Sequence, residues 1–497
     1  MKKMIVAAVL MLTVGGWSAC ASAGDPDILN ELDVYLETDK TPTDSSSDIA
    51  QQLADHFRAD LELRTSYFFD PAIDSLKTYA DVDDDRLVGE MRANWSSWTG
   101  KDWWSFHAAG WFEAGTRDDA CSGVTHLMTD RDNQKRYAEL NESFLNLSNG
   151  AAEFTIGKKI FNNGISTLYS PANRYTSADL NDPVNPIQTG SWQLACDYSH
   201  KDTVYTGALL PFYQEKKIPA PGSRWIVSDI PSGYNFVPGS IEEMLEILYY
   251  YMDRLMENDR FADLVDSGKS VAVREELPEN DPKDWGWFGR VKKSMGIWDT
   301  FVSAYHGPAF YPVIKLEDTK DIATLIKDTP NVYQMAGGFS TTWKNTEFHG
   351  EALYSHSIHN YDDSYIDYVG GFCHTSENLA SSLGLEKIDI LLEYAGEVIT
   401  AKQNATDYIL SSRYTRIGRN DLIANILVTA TDDLSLHYLS DFTLSDNAHF
   451  QRIGTSLRIM SGLVFTLDFE FFDGPLDTYF GRWRNNDRLV TSIKWSM

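Results

Sequence analysis

Charged side chains at every second position are the residues of this chain best suited to chemistry. Arg58, Asp60, Glu62 and Arg64 alternate with Ala59, Leu61 and Leu63, and Glu90 with Arg92 and Asp468 with Glu470 repeat the spacing. Acids and bases mixed along one water-facing wall set a transverse field that sorts ions. No serine-centred nucleophile elbow and no glycine-rich phosphate cradle accompanies them. His349, His356 and His359 lie close in sequence without acid or cysteine partners at ligand spacing. No catalytic residue, metal or cofactor is therefore assigned.

The elements that carry these charges are strands. Leu463, Phe465, Leu467, Phe469 and Phe471 fall on one side of a run whose other side holds Asp468 and Glu470. Successive side chains leave opposite faces of a pleat, so period two means a β-strand. The same alternation runs through Phe57–Tyr67, Leu87–Trp95 and Trp104–Phe112, and through Leu489–Met497 at the end of the chain. Thirteen further segments bring the expected number to about eighteen strands, within a range of 16 to 20. Tight turns such as Lys344-Asn345 and Ser461-Gly462 alternate with long polar segments. Short turns at one end and long loops at the other are the pattern of a transmembrane, antiparallel, up-and-down β-barrel. A secreted carbohydrate-binding β-protein would lack that regularity.

Composition agrees. Fourteen Trp and 25 Tyr suit the aromatic girdles of such barrels, and a net charge of −29 argues against a nucleic-acid partner. Lys2-Lys3, an apolar run and Ala21-Ser22-Ala23 read as a signal peptide over residues 1–23. Residues 24–52 read as a periplasmic lead-in and 53–497 as the barrel. Cys196 and Cys373 fall within strands as small filler. Residues 212–286 break the alternation. There Ser240 and Glu243 suggest a capping box, and Ile241, Met244, Leu245, Leu248, Met252, Leu255 and Met256 recur at helical spacing. By strand parity this helical insert is extracellular, and its apolar stripe is expected to fold over the barrel mouth.

Gly157-Lys158-Lys159-Ile160-Phe161-Asn162-Asn163-Gly164, then Ser170-Pro171-Ala172-Asn173 and Asp179–Pro183, form a strand-to-loop signature. With Phe472-Asp473-Gly474, Tyr479-Phe480-Gly481 and Asn486-Asp487, it resembles alginate-export-type outer-membrane barrels and their porin-like relatives. The likeness spans most of the chain outside 212–286. Lys158-Lys159 replaces the usual Arg-Gln, and Asn163 a usual Trp. The resemblance implies a bacterial outer-membrane barrel and, in its narrowest form, export of an anionic polysaccharide.

Parity assigns the inward face. Its expected acids are Asp60, Glu62, Glu90, Glu113, Asp197, Glu351, Asp367, Asp389, Glu393, Glu397, Asp468 and Glu470; its bases are Arg58, Arg64, Arg92, Arg452, Arg458 and Lys494. Eleven stand out as candidate pore-lining residues: Arg58, Asp60, Glu62, Arg64, Glu90, Arg92, Glu113, Glu393, Arg458, Asp468 and Glu470. A path for an anionic polymer should be lined by Arg and Lys, whereas this one leans acidic. The expectation is thus a porin-like channel for small hydrophilic solutes or saccharides, preferring cations. An anionic-polysaccharide exporter and an outer-membrane hydrolase are the alternatives. A hydrolase would need outward-facing histidines, but His107, His349 and His437 face inward by parity. The loop Ile160–Gln188 is expected to fold inward as a constriction. Asp83-Asp84-Asp85, Asp118-Asp119 and Asp362-Asp363 read as solvated outer-loop acids, or as cation bridges to lipopolysaccharide. The expected partners are outer-membrane lipid, lipopolysaccharide, the barrel-assembly machinery and a small hydrophilic solute.

Overall fold

The computed structural model describes residues 49–71, 86–116, 121–124, 136–175, 177–219, 223–226, 236–237, 240–255 and 257–497. The expected signal peptide, most of the lead-in and the clusters at 83–85 and 118–119 lie outside them.

The strands follow in order. β1 is Arg58–Phe68, β2 Leu87–Lys101, β3 Trp104–Gly115, β4 Cys121–Val124, β5 Arg136–Asn149 and β6 Ala152–Lys159. β7 is Ala178–Asp179, β8 Ile187–Gln188, β9 Ser191–His200, β10 Thr203–Leu210, β11 Ser270–Glu276 and β12 Gly286–Met295. β13 is Trp298–Pro308, β14 Val313–Asp318, β15 Ile322–Asp328, β16 Asn331–Trp343, β17 Thr346–Ser357 and β18 Ser364–Thr375. β19 is Lys387–Ala401, β20 Tyr408–Leu410, β21 Asn420–Thr431, β22 Leu434–Thr443, β23 Ala448–Met460, β24 Leu463–Asp473 and β25 Arg488–Ser496.

Nineteen of these strands share one sheet. Eighteen form a closed antiparallel barrel, because β1 pairs with both β2 and β25. The nineteenth, β4, lies parallel to β5 at the rim. Closure removes every sheet edge that lipid would leave without hydrogen bonds. Every strand expected from alternation is present, and β6 and β10 keep their expected bounds. Two-residue turns join most strands at one end. At Gly462, φ is +78° and an added Cβ would lie 2.6 Å from the Ser496 carbonyl oxygen, so only glycine turns this hairpin.

The outward face is apolar. Leu63, Val291, Val302, Met335 and Phe339 are exposed along the wall. Tyr67, Trp287 and Tyr333 ring its loop end, and Trp298, Trp343 and Trp495 its turn end. An apolar band between two aromatic girdles on a closed barrel is the surface that spans an outer membrane. β2 overhangs β1 at the turn end. Helix α1 (Ile49–Asp55) closes that edge: Gln52 Oε1 accepts from Thr99 Oγ1 at 2.6 Å, and Leu53 O from Ser97 Oγ at 2.7 Å.

The loop end carries a cap. α2 (Ser240–Tyr251) and α3 (Asp259–Asp266) pack with a second sheet ordered β11-β15-β14-β20, whose strands come from three different loops. Met244, Ile247, Tyr251 and Leu255 are buried in one cluster with Trp225, Phe472 and Trp483 of the barrel mouth. The insert thus buries its own apolar residues over the mouth, as the helical spacing suggested. Met244 and Leu255 belong to the expected stripe, whereas Ile247 and Tyr251 do not. A helix held between a sheet and a barrel rim is covered on more than one face. Ser240 is the first residue of α2, and its hydroxyl accepts the Val273 N–H at 3.1 Å, tying helix to sheet. The Glu243 side chain of the expected capping box lies outside the described residues.

Candidate functional site

The loop between β6 and β9 folds into the barrel and crosses it. It starts from Lys158, which is buried with its ammonium 3.1 Å from Glu139 and 2.9 Å from the Leu140 carbonyl. Asn163 then donates to Ser303 Oγ on β13 at 2.8 Å. A Cβ at Gly164 would sit 1.9 Å from Ser170 Oγ and 2.8 Å from Glu351, so glycine lets the chain lie against the wall.

Two wall carboxylates take the next five backbone amides. Glu351 on β17 accepts Ile165 N–H, Ser166 N–H at 2.6 Å and Ser170 Oγ–H at 2.8 Å. Glu393 on β19 accepts from Thr167 at 3.0 Å, Leu168 at 3.2 Å and Tyr169 at 2.9 Å, and lies 2.9 Å from His349 Nε2. Ionised carboxylates offer about four acceptor positions each, which suits backbone that has no sheet partner. Arg174 next pairs with Asp367 on β18. On the far side Asp182 accepts from Arg64 on β1 and Arg488 on β25, both at 2.8 Å. Asn185 accepts from Arg452 at 2.5 Å. Glu470 completes the cluster, accepting Arg452 Nε at 2.9 Å and Arg488 Nε at 2.5 Å. The loop is therefore pinned to opposite walls, and the Asn163-Gly164 and Asp179–Pro183 signature lies within it.

Beside the loop a cavity of about 510 Å³ remains. Its walls include eight of the eleven candidate residues: Glu62, Arg64, Glu90, Arg92, Glu113, Arg458, Asp468 and Glu470. Arg92 donates to Glu113 at 2.9 Å, Arg64 lies 3.9 Å from Glu90, and His437 Nε2 lies 2.7 Å from Asp468. Asp60 sits 4.0 Å from Lys494, Arg458 donates to the Asp432 carbonyl at 3.1 Å, and Arg58 is exposed at the turn-side start of β1. Glu393 differs from the others. It is fully buried beneath the loop, so it anchors the constriction instead of facing open space. Phe68, Val88, Ile187 and Trp225 form the cavity's apolar wall toward the loop end.

Several expectations need correction. Asp362 and Asp363 are neither solvated nor placed for bridging. Both are buried, and they accept from Ser412 and Ser411 of the loop after β19. Burial pushes the Asp362 carboxyl up, against the Arg416 guanidinium and the Ser412 hydrogen bonds. His349 faces the lumen and His356 the outside, so the three nearby histidines do not converge. The balance of twelve acids to six bases also omitted cations. Arg488 continues the inward row of Val490, Ser492 and Lys494, and extending the alternation by one step would have found it. Arg174 and Arg416 sit in loops without periodicity, and nothing in the sequence marks them; Asp182 lies inside the Asp179–Pro183 signature, which did not reveal its pairing.

No protein-family model and no curated protein matches the chain. Among solved structures, it is similar to OccAB3 of Acinetobacter baumannii at 10% identity and a TM-score of 0.45, covering 89% of this chain and 99% of that one. A mutant Rh. blastica porin follows at 9% identity and a TM-score of 0.38, with 89% and 99% covered. OmpT, an outer membrane protein of Vibrio cholerae, matches at 9% identity and 0.33, with 89% and 96% covered. Likenesses this weak carry no functional inference, and the barrel's own geometry must supply one.

Proposed function

We propose that this outer-membrane barrel is a passive, porin-like channel for small hydrophilic solutes, with the inward loop setting its narrowest section. The supporting observation is a loop fixed to both walls beside a cavity lined by charges. A rigid constriction next to a polar wall selects by size and charge without a bound energy source. The anionic-polysaccharide exporter is the weaker reading, because Arg64, Arg452 and Arg488 are all paired with Asp182 or Glu470.

Purified barrel in planar bilayers tests the proposal. Stepwise single-channel currents in simple salts are expected, together with transport of small neutral sugars in liposome swelling. Folded barrel that inserts without conducting, or that hydrolyses lipid, would overturn it.

A further inference from the structure

Each barrel strand buries at least one inward residue in the half nearer the loops. Phe68 on β1, Lys158 on β6, Leu210 on β10, Val332 on β16, Ala395 on β19 and Phe450 on β23 sample this ring, and none is more than 7% exposed. Nearer the turns the same faces meet solvent: Lys292 and Lys387 are exposed and Lys494 is half-buried. Water thus reaches the inner wall from the turn end, while loops and cap pack against it at the other. The cavity shows the same asymmetry. Asp432 and Asp433 line it at the exposed turns, and toward the loops it stops against Phe68, Val88, Ile187 and Trp225, each buried.

Phe68 and Val88 belong to the wall and Ile187 to the pinned loop, whereas Trp225 comes from the 212–286 insert and from no strand or helix. Its ring lies 5.0 Å from the Arg488 guanidinium of the charge cluster, and 5.5, 5.8 and 6.4 Å from the rings of Trp483, Phe472 and Phe68. Arg224 holds the segment in place. Its Nε donates to Asn486 Oδ1 at 2.9 Å, its Nη2 to the Asp70 and Asn485 carbonyls, both at 3.0 Å, and its guanidinium stacks 3.7 Å from the Phe68 ring centre. Asn486 Nδ2 donates back to the Arg224 carbonyl at 3.1 Å, and Trp483 Nε1 to the Trp225 carbonyl at 2.8 Å. None of these contacts is a ladder hydrogen bond, so the segment can withdraw while the barrel stays closed on itself. Apolar side chains across a pore expel water and stop hydrated ions.

We propose that the barrel stands here in its shut state, and that Trp225, latched by Arg224, is the gate between the cavity and the outer loops. This rests on the channel reading above and adds a moving part to the fixed constriction. The inward loop sets how large and how charged a passing solute can be, and Trp225 sets how often the path is open.

The test is single-channel recording of the full chain in planar bilayers in potassium chloride, reading open fraction and current per opening separately. The unmodified barrel should be shut most of the time. Trp225→Gly removes contacts made only in the shut state, so it should raise the open fraction about tenfold. Arg224→Lys keeps the charge but cannot reach all three acceptors, and should raise it several-fold. Current per opening should not change, because the inward loop still sets the narrowest section. Folding is read from heat-modifiable migration on gels, and should Trp225→Gly not fold, Arg224→Lys decides alone. An unmodified barrel that stays open, or folded variants that open no more often than it does, overturn the gate and leave the channel reading standing. A larger current per opening in the variants also overturns it, since the effect would then lie at the constriction. Silence of all three barrels overturns the channel reading, and the gate with it.

Discussion

Along β17–β19 the inward acids Glu351, Asp367 and Glu393 are sealed beneath the inward loop, each at most 4% exposed. Along β1, β2 and β24 the inward residues Glu62, Glu90 and Asp468 border the cavity. Both arcs arise from the same alternation of apolar and charged residues. The difference lies in what lies opposite. In the first arc the carboxylates meet backbone N–H groups and Arg174, so their charge fixes a loop in place. In the second they meet water and cross-strand cations, so their charge remains available to passing ions. A buried carboxylate is tolerated only where donors surround it, and the loop supplies those donors.

The sharpest way to break this contrast is Glu393→Ala. It strands the N–H groups of Thr167, Leu168 and Tyr169 and leaves His349 without its acid. Removing one partner of a buried charged network costs about 3–5 kcal/mol. The urea midpoint of the folded barrel should fall accordingly, and the freed loop should raise single-channel conductance. Conductance equal to that of the unmodified barrel would mean that the loop does not depend on this anchor.

Which parts of this were legible follows from periodicity. The eighteen strands and their inward faces came from alternation, whereas the inward fold of the loop was what the resemblance to porin-like barrels implied. The cap sheet came from neither, because its strands are short and come from three loops: β14 and β15 form a local hairpin, but β11 and β20 join it only through contacts distant in sequence. The pairing of lumen charges was equally hidden. Parity shows that Glu470 and Arg452 point inward, but only the three-dimensional register brings Asp182 between Arg64 and Arg488.

The next test compares lipid with cavity. Leu467 faces outward and its neighbour Thr466 lines the cavity. Leu467→Arg places a charge in the hydrocarbon and should cost about 2–4 kcal/mol near the bilayer midplane. Thr466→Arg should cost less than about 1 kcal/mol, since its guanidinium stays in water. Equal losses in reversible unfolding from lipid vesicles would refute the inward and outward assignment.

The smallest effect concerns ion preference, and it sharpens the contrast most finely. In the open arc most charges cancel: Arg64 and Arg488 against Asp182, Arg452 against Glu470, Arg92 against Glu113, and Lys387 against Asp389 at 3.0 Å. Glu62 and the exposed turn acids Asp432 and Asp433 leave the cavity wall slightly negative. Reversal potentials should therefore show a mild cation preference, stronger in dilute salt, because the screening length falls from about 10 Å at 0.1 M to about 3 Å at 1 M. Glu62→Gln with Asp433→Asn should reduce the preference by less than tenfold, or under about 1.4 kcal/mol. Glu351→Gln, in the sealed arc, should alter conductance through the loop and leave the preference unchanged. Were Glu351→Gln to shift the reversal potential as much as the open-arc pair does, the sealed arc would have to share the ion path, and the division between the two arcs would not hold.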